Sequence, residues 1–261
     1  MNADPRFTSL FWTVWRRNLR VYRRIWAVNF LPPILEPLFY IAAFGLGFSG
    51  LVSDVSWHGE PMSFIRFFAP AMIAVSAMWQ GFMETTYSSF VRMFYQKTYD
   101  ALLATPLSLE EIIVAEIVWG ATRSLIAAGL MLAVVALLGY APSPQALLVL
   151  PIAVLGGLTF GAIGMATTSV TPSIDMFNIP VFLIITPMFL FSGTFFPIDA
   201  LPPAAAPIAA AMPLYHLAEL CRAACLGRLS AGSIVNAGAL VGYFVVFVPL
   251  ALAGMRRRLV R

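Results

Sequence analysis

Long apolar runs separated by short polar breaks set the pattern of this chain. About 20 consecutive apolar residues are enough to cross a bilayer as a helix. Runs of this kind lie at about 27–48, 64–94, 112–138, 145–168, 177–191 and 233–255. They predict an all-α integral membrane protein with six transmembrane helices in a single domain spanning 1–261. Ahead of the first run, residues 7–26 read differently. Phe7, Phe11, Val14, Trp15, Tyr22, Ile25 and Trp26 fall near one helical face and Arg16, Arg20, Arg23 and Arg24 near another, which predicts a helix lying in the membrane interface. A signal peptide is the competing reading, but the charged region is too long and no small-residue cleavage site follows it.

Breaks in the pattern mark where the apolar runs do more than cross. Pro32, Pro33 and Pro37 kink the first run, and Glu36 is costly at membrane depth unless paired or facing water. In the second run Ser76, Gln80 and Glu84 recur every four residues, with Ser88 one turn on. They make a polar stripe that either ties helices together or faces cargo. Glu116 and Arg123 on the third run are two turns apart, too far to pair, so each is expected to find its partner on another helix. On the fourth run Ala153, Gly157 and Gly161 stand at four-residue spacing, with Gly156 and Gly164 beside them, as close helix packing requires. Residues 192–226 are apolar yet proline-rich and carry Asp199, His216, Glu219 and Arg222. Irregular backbone at membrane depth must be buried or line a cavity, which predicts an external re-entrant hairpin; a surface loop with a helix is the alternative.

Between the second and third runs lies the charged stretch YQKTYDALLATPLSLEEIIVAE, residues 95–116. A short helix at Tyr99, Asp100, Ala101, Leu102, Leu103 and Ala104 is stopped by Thr105-Pro106. Ser108 then caps the next helix, with Glu110 and Glu111 in its first turn. Such an arm, with Arg92 and Lys97 at its entry, is cytoplasmic by the positive-inside rule, as are the two termini; the segment 49–62, with Asp54, His58 and Glu60 and no basic residue, is external.

Composition supports the membrane assignment. Hydrophobic residues make up 60% and charged residues 11%, with mean hydropathy +0.85, whereas soluble domains carry about a quarter charged residues. The net charge of +4 comes from arginines at the termini and central loop, an orientation signal rather than a nucleic-acid surface. Lys97 is the one lysine and no glycine-rich phosphate loop precedes it, so the chain cannot build an ATP site of the Walker type. No metalloprotease helix or nucleophile elbow is present. Cys221, Cys225 and His216 are close in sequence but lack a fourth ligand, so packed thiols are preferred to a metal site.

YDALLATPLSLEEIIVAEIVWGATRSL and LFSGTFFPIDALPPAAAPIAAAMPLYHLAELCRAACLG resemble the two signature regions of ABC-2 type exporter permeases, in particular the nodulation-factor export branch. The resemblance covers essentially the whole chain. It implies a bacterial inner-membrane homodimer, bound beneath by two copies of an ABC ATP-binding subunit that carry ATP and Mg; the permease binds no cofactor and is not an enzyme. Tyr99 to Ala104 match the coupling helix that enters the ATPase. Phe196, Pro197, Asp199, Pro202, Pro213, Glu219 and Arg222 fall in the re-entrant hairpin. The implied cargo is a lipid-linked saccharide, lipo-oligosaccharide or other amphipath, with Gln80, Glu84, Tyr87 and Glu36 as path candidates. Tyr40, Phe44, Trp79, Phe82 and Tyr87 either stack on sugars or are lipid-facing bulk. A proton-coupled secondary transporter using Glu36, Glu84 or Glu116 is the alternative, although no inverted repeat is visible. A membrane enzyme acting on lipid would have only Asp54, His58, Glu60 and Asp199 outside.

Overall fold

The computed structural model describes residues 10–26, 32–47 and 54–259. Helix α1 is Phe11–Arg24 and α2 is Pro32–Gly47. A short hairpin follows, with strands β1 (Val55–Trp57) and β2 (Glu60–Met62). Helix α3 is Phe64–Met83, and two π-helical segments, Glu84–Ser88 and Val91–Tyr95, carry it on. Then come α4 (Thr98–Leu103), α5 (Leu109–Leu137), α6 (Val149–Val170, after a 3-10 turn at Pro144–Leu148) and α7 (Ile174–Phe191). The chain ends with α8 (Ala206–Ala210), α9 (Pro213–Leu226) and α10 (Ala231–Leu259).

Helices α3, α5 and α6 form the centre, with α10 against α6, α9 against α3 and α10, α1 against α5, and α2 against α3 and α5. Small residues make the centre possible. A Cβ on Gly157 would lie 2.6 Å from Ser124 Cβ and 2.7 Å from Ala121 Cα of α5; one on Gly164 would lie 2.9 Å from the Phe82 carbonyl. Only glycine fits where backbones approach this closely. The small residues of the fourth apolar run thus serve two neighbours, α5 through Gly157 and α3 through Gly164.

Among the described residues four helices are long and apolar enough to cross a membrane: α5, Pro144–Val170, α7 and α10. The other two expected spans fall on α2, of 16 residues, and on α3 with its π-helical extension. Helix α7 contains Pro180 and Pro187 and stays helical by forming a π segment at Val181–Ile185 between them, the usual accommodation of a missing backbone donor. The capping box at α5 is complete: Ser108 accepts from the Glu111 amide, and the Glu111 side chain accepts from the Ser108 amide at 3.0 Å.

The chain is not wholly α. Residues 54–62, read from sequence only as an external loop, form the β1–β2 hairpin, in register Val55↔Met62 and Trp57↔Glu60. His58 and Gly59 both have positive φ, as a two-residue hairpin turn of matching twist requires.

Candidate functional site

The C-terminal end of α3 and its π-helical extension carry the two acid or amide positions of the polar stripe, Gln80 and Glu84, and π-helical turns shape what they meet. Glu84 and Arg92 are eight residues apart, outside the usual i,i+3 and i,i+4 neighbours. The π segments starting at Glu84 and Val91 alter the register between them. Arg92 Nη1 then donates to Glu84 Oε1 at 2.8 Å, while Nη2 pairs with Glu116 of α5. Glu116 also accepts from Ser89 Oγ (2.7 Å) and from Asn18 Nδ2 of α1 (3.1 Å). Glu84 accepts from Trp119 Nε1 at 3.0 Å and has Arg123 Nε 3.8 Å away; Arg123 Nη2 donates to Gln80 Oε1 at 2.9 Å. Three guanidinium-bearing or carboxylate-bearing helices are thereby locked side chain to side chain. Buried charges of this kind are tolerable only when every one is paired.

Helix α1 is part of this cluster. Val14 and Asn18 are buried, Trp15 Nε1 donates to Thr122 Oγ1 at 3.0 Å, and the Arg123 guanidinium lies 4.7 Å from the centre of the Tyr22 ring. Ile25 and Trp26, placed by sequence on the same apolar face, are more than half exposed at the helix end. Phe7 lies outside the described residues, and so does the side chain of Glu36.

The short helix α4 hangs directly below. Thr98 is buried and accepts from Arg17 Nη2 at 3.2 Å, and Tyr99 is fully buried. Burial pushes the Tyr99 phenol well above its ordinary range, with Glu116 adding to the effect. Asp100, Ala101, Leu103 and Ala104 are exposed and Leu102 is half-buried. One side of α4 is therefore rooted in the cluster and the other faces outward. Lys97, in left-handed conformation, makes the corner that turns the chain into it.

A cleft of about 330 Å³ opens between α1, the end of α3 and α5. It is lined by Arg17, Tyr22, Glu84, Tyr87, Arg92 and Arg123 with Val21, Ile25 and Ile174. Glu84 and Tyr87 thus lie together in its wall, Tyr87 with its hydroxyl 3.3 Å from Asn178 Oδ1, whereas Gln80 does not line it and joins the group through Arg123.

At the opposite end a second cluster forms around α9. Arg222, 1% exposed, pairs with Glu219 one turn away on the same helix. Its Nε and Nη2 donate to the carbonyls of Phe67 (3.0 Å) and Gly193 (2.9 Å). Glu219 also accepts from Trp57 Nε1 at 3.1 Å and is bonded to His58 Nε2 at 2.9 Å. The hairpin, α3, α9 and the segment after α7 are stapled at this point. Phe196, Asp199 and Pro202 are exposed, Pro197 opens a 3-10 turn over Ile198–Ala200, and Pro213 is buried at the start of α9. His216 bonds to Asn236 of α10 at 2.8 Å, and Cys221 and Cys225 are both buried. Phe44 and Phe82 pack inside the apolar centre, Phe44 against Phe64, Phe68 and Phe195.

Sequence reasoning placed Glu116 and Arg123 against partners on other helices, and the structure supplies Arg92 and Asn18 for the first and Glu84 and Gln80 for the second. Arg92 was visible as a loop-flanking cation; its position between two carboxylates was not, because π turns leave no composition signal. Asn18, Trp57 and His58 gave no periodic signal either.

Residues 9–226 match the ABC-2 type transporter family. Over 248 residues the chain is 38% identical to Nodulation protein J of Rhizobium leguminosarum bv. viciae, covering 95% of this chain and 94% of that one. It is 37% identical to Nodulation protein J of Rhizobium leguminosarum bv. trifolii, covering 97% and 95%. The Inner membrane transport permease YadH of Escherichia coli (strain K12) is 23% identical over 95% of this chain and 96% of its own length. With a family match across most of its length and relatives above 30% identity over nearly all of it, the chain is a transport permease of the ABC-2 type transporter family.

Proposed function

We propose that the chain is the membrane subunit of an ATP-driven exporter that moves a lipid-linked saccharide, lipo-oligosaccharide or similar amphipath outward. It works as a homodimer on two copies of an ABC ATP-binding subunit, with six spans, both termini in the cytoplasm of a bacterial cell and residues 192–226 re-entrant from outside. The observation that carries this reading is the two-sidedness of α4. A six-residue helix cannot hold itself together alone, yet this one is anchored through Tyr99 and Thr98 and turns Asp100, Ala101 and Leu103 outward. A push on that outward side reaches α1 through Arg17 and Thr98. Rigid-body rotation of packed helices is a common answer to such a push, and the relatives named Nodulation protein J support an amphipathic saccharide as the cargo class.

The test is co-purification of the full chain with its ATPase from detergent extract. Asp100→Arg and Leu103→Asp are expected to abolish recovery of the ATPase while leaving yield and thermal unfolding of the permease unchanged, since both positions are exposed. A lone cysteine at position 103 that reacts with a membrane-impermeant reagent from outside intact cells would overturn the proposal.

A further inference from the structure

The cleft between α1, α3 and α5 holds more positive charge than it needs. Among the described residues, Arg17, Arg92 and Arg123 face only two carboxylates, Glu84 and Glu116. Arg92 is consumed between those two. Arg17 donates to neutral oxygens, Asn18 Oδ1 at 3.1 Å and Thr98 Oγ1 at 3.2 Å, and pairs with no carboxylate among the described residues. Burial lowers the Arg17 guanidinium from its ordinary range, with Glu116 pulling the other way, so a second anion would restore solvation that the protein has removed. Arg123 spends Nη2 on Gln80 and holds Glu84 only at 3.8 Å through Nε; its Nη1 has no bond among the described residues.

The same cleft has an apolar lip. Val21 and Ile25 line it while remaining 49% and 51% exposed, and Ile174 faces them. Exposed branched side chains on a helix rich in arginine belong at the headgroup boundary of a membrane. A volume of about 330 Å³ lies in the range of small-ligand sites, roughly 300–1,000 Å³.

We propose that this cleft is a binding site for the phosphate of an anionic phospholipid, held between Arg17 and Arg123 with its first acyl carbons against Val21, Ile25 and Ile174. Guanidinium groups suit phosphate oxygens because their donors form a planar fork. Glu84, the one carboxylate in the wall among the described residues, is already bonded to Arg92 and Trp119 and does not oppose the anion as a free charge. The inference rests on the membrane placement of α1 and not on the exporter reading.

The full chain, purified and placed in phosphatidylcholine nanodiscs without ATP or any partner, is exposed to a trace of phosphatidylglycerol carrying a diazirine near its glycerol end. Photolabelling is expected on the Val21–Ile25 stretch. Arg17→Gln should lower it about tenfold, the value of one charge-assisted bond. Arg17→Lys should keep most of it, Val21→Asn should weaken it with the fold intact, and Arg20→Gln, an exposed arginine on the same helix, should leave it unchanged. Equal labelling by a phosphatidylcholine probe, or equal loss in Arg17→Gln and Arg20→Gln, would overturn the site. Competition by glycerol 3-phosphate as strong as that by phosphatidylglycerol would overturn the lipid, because the apolar lip would then contribute nothing. Because the assay contains no ATPase, it can fail while co-purification succeeds.

Discussion

The Arg92 and Arg222 clusters sit at opposite ends of one helical bundle, and each buries a guanidinium against carboxylate. Arg92 is held by two carboxylates from different helices, and everything it touches is a side chain apart from the Glu84 carbonyl. Arg222 is held by one carboxylate from its own helix and by two backbone carbonyls, Phe67 and Gly193. Side-chain links between helices can be remade in a second arrangement when the helices turn; a guanidinium clamped on backbone carbonyls fixes three segments in one arrangement. The cluster that can be repacked adjoins α4, and the cluster that fixes its surroundings adjoins the hairpin. Switching at one end and holding at the other is the division of labour that a population shift between two packings needs.

Removing each guanidinium breaks the comparison most directly. Arg92→Met strands Glu116 with only Asn18 and Ser89, neither of them charged, and breaking a buried pair in this way costs about 3–5 kcal/mol. Arg222→Met leaves Glu219 with Trp57 and His58, so its cost falls at or below the low end of that range. Thermal unfolding in detergent should therefore rank Arg92→Met as the less stable, and Glu116→Gln added to Arg92→Met should recover part of the loss. If the two single variants melt together, or if Glu116→Gln makes matters worse, the clusters do not differ as described.

Much of this was legible from apolar run lengths and glycine spacing, because a bilayer imposes both on any helical chain that crosses it. The end of α4 at Thr105-Pro106 and the Ser108 cap follow from local chemistry that acts over three or four residues. Arg92 was not legible as a clamp: the four-residue stripe through Glu84 and Ser88 extends to it, but π-helical turns at Glu84–Ser88 and Val91–Tyr95 leave no mark in the sequence pattern, and its second carboxylate, Glu116, comes from another helix. The Trp57–His58 hairpin escaped for a different reason: three-residue strands are shorter than any alternation pattern, and their partner Glu219 lies more than 150 residues away.

A change in the packing of the centre sharpens the comparison, because it touches neither cluster. A methyl group on Gly164 would come 2.3 Å from Thr85 Oγ1 and 2.9 Å from the Phe82 carbonyl. Gly164→Ala must therefore push α6 from α3, and overpacking of this kind costs about 1–3 kcal/mol. Pairing Gly164→Ala with Arg222→Met should give additive losses, since the two sites share no partner. Pairing it with Arg92→Met should not, because Thr85 and Glu84 lie on the same π-helical segment and move together. Additivity in both pairs would show that the π segment does not carry displacement to the Arg92 cluster.

The smallest expected effect comes from His58. Its side chain is 66% exposed although its bond to Glu219 is 2.9 Å long, and solvent-exposed partners of this type contribute about 0.2–1 kcal/mol. His58→Ala should accordingly move thermal unfolding by no more than a few degrees in the otherwise unchanged chain. With Arg222→Met already in place the same substitution should cost more, because it removes one of the two remaining partners of a carboxylate that is still buried. A double-mutant cycle of His58→Ala and Arg222→Met reads that difference directly, as a coupling of about 0.5 kcal/mol or more. A coupling near zero would mean that water, not His58, already satisfies Glu219, and the hairpin would then be held to the Arg222 cluster through Trp57 and not through His58.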